Sequence, residues 1–112
     1  MTTQAIHIDE YGVPLKKITV TQIKKATCAY FGITHDELVG PCRKYVFSRP
    51  RQIAMFLARK HTSLSFPQIS SRFDRDHSTA VHAIQRLTER LESNKDPSWM
   101  VDIVSIENSL GL

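Results

Sequence analysis

His77, Ser78, Thr79, His82, Gln85 and Arg86 are polar side chains of short or moderate reach, gathered in ten residues with one formal charge among them. Asp76 stands just ahead of them. A solvated helix face is ordinarily richer in Glu and Lys, and Glu89, Arg90 and Glu92 return to that type further on. Hydroxyls, carboxylates and imidazoles at the front of a helix suit the edges of bases in a major groove, where amino and carbonyl groups are read by hydrogen bonds. The opposite face carries Val81, Ile84, Leu87 and Leu91 at three- and four-residue steps and is expected to be buried.

The elements that would hold such a front lie immediately upstream. Leu64 to Phe73 reads as a short helix. Ser65 and Gln68 have capping-box spacing, Leu64 and Ile69 that of a hydrophobic staple, and Pro67 is tolerated in a first turn. Two helices joined by a tight link make a helix-turn-helix.

Arg75-Asp76-His77-Ser78-Thr79-Ala80-Val81-His82-Ala83 resembles the signature of the C-terminal DNA-binding domain of the bacterial replication initiator DnaA, usually Arg-Asp-His-Thr-Thr followed by two apolar residues, His and Ala. Arg49 to Met55 is similar to a second block of that family, and Ile18 to Ile33 to its opening helix, so the likeness runs from about Ile18 to Leu91. The chain departs from the pattern where Asp74 alone replaces two glycines, where Ser78 replaces Thr, where Ala80 replaces a larger apolar residue, and at Pro41-Cys42, where residues are often basic. The resemblance implies an all-α, Trp-repressor-like bundle of about six helices over residues 18–112; residues 1–17, with no sustained period and a turn at Tyr11-Gly12-Val13-Pro14, read as a flexible lead. It also implies that Arg43 enters the minor groove and that Arg51 and Gln52 hold phosphates.

Charge supports the same direction. Between Leu38 and Phe73 there is no Asp or Glu, while Arg43, Lys44, Arg49, Arg51, Arg59, Lys60 and Arg72 all fall there; that third carries +7 and the remainder −3. A one-signed field of this kind attracts a polyanion. Cys28 and Cys42 stand alone with thirteen residues between them, which indicates neither a zinc site nor a disulfide framework. His77 and His82, five apart, would lie about 140° apart around a helix, so one metal ion cannot join them. No nucleophile elbow, zinc-protease motif or phosphate-binding loop occurs, so no enzyme, cofactor or metal is expected, and the initiator's ATPase module is expected to be absent. With no apolar run of membrane length, the default is a cytoplasmic, nucleoid-associated chain.

In chain order, Thr19 with Gln22 and Ile18 with Ile23 open a first helix whose face is Val20, Ile23, Thr27 and Tyr30, with Gly32 as its stop; Tyr30 and Phe31 are expected in the core. Thr34 caps a short second helix ended by Gly40-Pro41. Cys42 to Ser48 reads as a loop. A helix beginning near Arg49, with Pro50 in its first turn, is apolar almost all round and should be central. Asp96-Pro97 starts a last helix in which Trp99, Ile103, Ile106 and Leu110 close the core.

The expected activity is sequence-specific binding of double-stranded DNA at an AT-rich, initiator-box-like site, in control of bacterial replication initiation or transcription. Arg43, Asp76, His77, Ser78 and Thr79 would read bases; Arg51, Gln52, Lys44, Arg59, Pro67, His82 and Arg86 would contact phosphates. For Arg59, a favourable charge at a helix C-terminus is an equal alternative. The rival reading is a regulator acting through contacts with the initiator or its inactivating partner. A monomer is favoured.

Overall fold

A computed structural model describes residues 18–41 and 44–112, all of them helical or in turns and connections. Six helices follow in order: α1 (Val20–Phe31), α2 (His35–Val39), α3 (Tyr45–His61), α4 (Phe66–Arg72), α5 (Thr79–Ser93) and α6 (Ser98–Ser109).

Local chemistry sets most of the boundaries. Thr19, Thr34 and Ser65 each accept the N–H three residues on, while the Gln22, Glu37 or Gln68 side chain accepts the cap's own N–H. These reciprocal bonds satisfy donors that a helix start leaves without intrahelical partners. The staple pairs are in place, with Ile18, Ile23 and Ile69 buried and Leu64 half-buried. Gly32 ends α1 at φ 68°, a left-handed conformation that other residues adopt at a cost. At Gly40 space decides instead, since a Cβ there would lie 2.6 Å from the Asp36 carbonyl oxygen. Asp96 caps α6 from two residues back, accepting the Ser98 N–H at 3.1 Å, with Pro97 already helical at φ −69°.

The start of α3 differs from expectation. It begins at Tyr45, so Pro50 is the sixth residue of the helix rather than a first-turn residue, and the Val46 carbonyl receives no N–H from it. The upstream turn nucleates without that bond, because the Lys44 carbonyl accepts the N–H groups of both Phe47 and Ser48 at 2.9 Å.

As expected, α3 is central, packing against α1, α2, α4 and α5. Its Ile53, Ala54, Met55, Leu57 and Ala58 are buried together with Ile23, Leu38, Ile69, Phe73, Leu87, Trp99, Ile103 and Ile106. On α5 the buried stripe is turned relative to the expected one, running through Ala80, Ala83, Ile84 and Leu87 while Val81 is only half-buried. Tyr30 is also displaced from its expected place in the core: the residue is 42% exposed and its hydroxyl donates to Asp102 Oδ1 at 2.7 Å.

That bond belongs to a network holding α6. Arg49 donates from Nη2 to Asp102 Oδ2 at 2.6 Å and to Ser98 Oγ at 2.9 Å. The guanidinium carbons of Arg49 and Arg90 lie 4.4 and 4.9 Å from the Trp99 ring centre. At the other end of α3, Lys60 Nζ and His61 Nε2 both meet Glu107 Oε2, at 2.7 and 2.6 Å. Two cations of the basic third are therefore answered by carboxylates of α6.

Candidate nucleic-acid interface

The turn between α4 and α5 is built by α4's last residues. The Asp74 N–H bonds to the Ser71 carbonyl at 3.1 Å and the Arg75 N–H to the Ser70 carbonyl at 2.9 Å. This is a Schellman arrangement with Asp74 in the left-handed position usually taken by Gly, at φ 57°. One residue thus stops α4 and sends the chain into the front of α5. The Thr79 N–H then closes onto the Asp76 carbonyl at 3.0 Å, leaving Asp76, His77 and Ser78 exposed on the outside of the bend.

Beside this bend, α3 and α5 form the walls of an open cleft of about 520 Å³. Ser48, Arg51, Gln52 and Met55 line it from α3, Asp74, Arg75 and Asp76 from the turn, and Thr79, His82, Ala83 and Arg86 from α5. Six residues singled out by sequence therefore meet here: Arg51, Gln52, Asp76, Thr79, His82 and Arg86. His77 and Ser78 stand just ahead of them on the exposed bend. Gln52 presents a buried Oε1 that has no hydrogen-bond partner among the described residues.

Arg51 differs from its expected role. It is 6% exposed, and its guanidinium donates to the Leu38 carbonyl at 2.6 Å and the Glu37 carbonyl at 3.2 Å. Arg75 does the same one step further along, donating to the Val39 carbonyl at 2.8 Å and to that of Gly40. Four consecutive carbonyls at the end of the five-residue α2 are thus met by two guanidiniums from the cleft wall. The arrangement is favourable twice over: it satisfies orphan acceptors and puts positive charge at the negative end of a helix. Arg51 therefore fixes the wall of the cleft to α2 while lining the cleft itself.

The remaining cations are distributed around this site. Lys44 is exposed at the start of α3. Arg59 is exposed near the far end of α3, lying over the Phe66 ring at 4.2 Å and donating to the Leu64 carbonyl at 3.0 Å, beside the first turn of α4 where Pro67 is exposed. The Lys24 ammonium donates to the Arg72 carbonyl at the end of α4 and lies 4.9 Å from the centre of the Phe73 ring. Burial, then the nearby Arg72 charge, hold the Lys24 pKa below the ordinary lysine value. Arg43, expected in the minor groove, and the proposed lead over residues 1–17 lie outside the described residues. No cluster of three potential metal ligands occurs among the described residues, and no helix there is long and apolar enough to cross a membrane.

Two residues that shape the site were not singled out from sequence. Ser70 is buried inside α4, and its hydroxyl accepts the Ala80 N–H at 2.9 Å. Arg75 stood in the signature, but its carbonyl partners carry no side-chain signal that spacing could reveal.

A short helix, a Schellman turn and a second helix with an exposed polar front define a helix-turn-helix domain. The model of the bacterial DnaA protein helix-turn-helix matches residues 20–87, and the chain belongs to that family. The chromosomal replication initiator protein DnaA of Ruegeria sp. (strain TM1040) is 41% identical over 88 residues, which cover 78% of this chain and 19% of that protein. That of Acinetobacter baumannii (strain AYE) is 41% identical over 95 residues, covering 84% of this chain and 20% of its own length. The chain thus spans about a fifth of the length of these curated relatives.

Proposed function

We propose that this chain binds double-stranded DNA, reading an AT-rich, initiator-box-like site in the control of replication initiation. The observation that carries the reading is the cleft between α3 and α5, with a polar, exposed bend at its mouth and cations on its walls. Asp76, His77, Ser78 and Thr79 read base edges in the major groove. Arg43 enters the adjacent minor groove, where a narrow groove concentrates negative potential. Gln52, Lys44, His82 and Arg86 hold the backbone near the cleft, and Arg59 and Pro67 hold it at the first turn of α4. Arg51 serves by fixing the wall that presents Gln52.

Membership of the DnaA helix-turn-helix family supports this reading, as does the name chromosomal replication initiator protein carried by the relatives. Titration of labelled initiator-box duplex and of a scrambled duplex at two salt concentrations tests it. Tight, selective binding that weakens steeply with salt is the expected result, because phosphate contacts release counterions while base contacts discriminate. Equally weak binding to both duplexes would overturn it.

A further inference from the structure

We infer that Ser70 is the positioning residue that fixes the base-reading end of α5, an inference that rests on the DNA-binding reading above. It carries bonds to four points of the turn. Its carbonyl accepts the Phe73 and Arg75 N–H groups at 3.0 and 2.9 Å. Its hydroxyl accepts the Ala80 N–H at 2.9 Å and donates to the His77 carbonyl at 3.3 Å. The stretch from α4's end to α5's first turn is thereby pinned to one buried residue, its backbone holding the turn and its side chain holding residues 77 and 80.

The front of α5 needs such a partner. Ser78 occupies the cap position but makes no side-chain cap bond, and its backbone, at φ −88° and ψ −9°, is not in the extended conformation of an ordinary cap. The Ala80 N–H, on a fully buried residue, would have no acceptor from its own helix start. Ser70 supplies that acceptor from the preceding helix. Ser78 and Thr79 keep their hydroxyls for a ligand, and the His77 backbone is held between two exposed reading side chains.

Removing the hydroxyl leaves the two carbonyl bonds of the turn intact, so α4 still stops at Asp74. What is lost is the tether on residues 77 to 80. Base edges are discriminated only when the reading side chains are held to a fraction of an ångström, whereas backbone contacts from Gln52, Lys44 and Arg59 stand on other elements and those from His82 and Arg86 lie beyond the tethered residues of α5. The consequence is a loss of selectivity without a loss of general affinity.

The test uses the full chain, the duplex most enriched from a random-sequence selection, and a scrambled duplex at the same salt. Ser70→Ala is compared with Ser70→Cys, which nearly keeps the volume but replaces a strong acceptor by a weak one. Hydrogen exchange at the Ala80 amide is followed in both. The expected result is a selectivity ratio reduced at least about fivefold, unchanged affinity for the scrambled duplex, and faster exchange at Ala80 than at core amides of α3. Folded variants with full selectivity, or equal losses on both duplexes, would overturn the role of Ser70 alone. A wild-type chain that does not discriminate between the duplexes overturns the base-reading proposal and the role with it.

Discussion

Arg51 donates its Nε proton to the carbonyl of Leu38 at 2.6 Å, binding the central helix to the end of α2 from a position that is 6% exposed. A side chain held this way contributes to the fold whatever it does for a ligand. Arg51→Ala leaves the Glu37 and Leu38 carbonyls without their charged donor and opens a gap beside the cleft. A loss of about 2 kcal/mol in unfolding free energy is expected, measurable by urea denaturation, with weakening of all duplexes alike. Arg43→Ala should instead erode discrimination. A stable Arg51→Ala chain that has lost only DNA affinity would show that the guanidinium works outward.

Asp102 holds the other flank. It accepts from Tyr30 and Arg49, and its side chain is 12% exposed against 16% for Arg49. Removing one member of a desolvated ion pair leaves an uncompensated charge, so Asp102→Ala is expected to destabilise the chain by about 3 kcal/mol. Tyr30→Phe, which removes one neutral-to-charged hydrogen bond, should cost about 1 kcal/mol. A double-mutant cycle in thermal unfolding checks the coupling; additive losses would mean that the network does not act as a unit.

Asp74 adds a carboxylate to the cleft at a left-handed position. Asn tolerates that conformation as well as Asp does. Asp74→Asn should therefore leave the unfolding midpoint nearly unchanged and tighten binding of every duplex by roughly threefold at moderate salt, the scale of one exposed charge. Fluorescence anisotropy on selected and scrambled duplexes reads this out; an effect confined to one sequence would make Asp74 a base reader.

Acid should loosen the contact between α3 and α6. Burial pushes the Glu107 carboxyl upward, but hydrogen bonds from Lys60 and His61 outweigh it and hold its pKa below the ordinary glutamate value. A carboxyl depressed in the folded state gives stability that is present above its unfolded pKa and lost as pH falls through the lower folded value. Glu107→Gln should accordingly melt lower than wild type at pH 7, with the difference shrinking as pH drops below about 4. A difference independent of pH would remove the carboxylate from the account.

Much of this architecture could be read from sequence because it is local. The capping pairs Thr19 with Gln22 and Ser65 with Gln68 act over three residues, and the structure bears both out. The start of α3 was less legible, since a proline in a helix usually marks a first turn and Pro50 does not. The basic third was legible as a count but not as a surface. Asp102 and Glu107, which answer Arg49 and Lys60, lie 53 and 47 residues further along. The anchoring of Arg51 to α2 escaped because its partners are backbone carbonyls, which every residue type possesses.

The α6 carboxylates also give the domain a sense of direction. A duplex approaching the flank of Arg49 and Lys60 meets arginine and lysine whose nearest anions are already built in, so docking there would mean prising apart contacts between α3 and α6. On the DNA-binding reading proposed above, the incoming polyanion would be turned toward the mouth between α3 and α5, and α6 would set the approach to a surface it does not itself line.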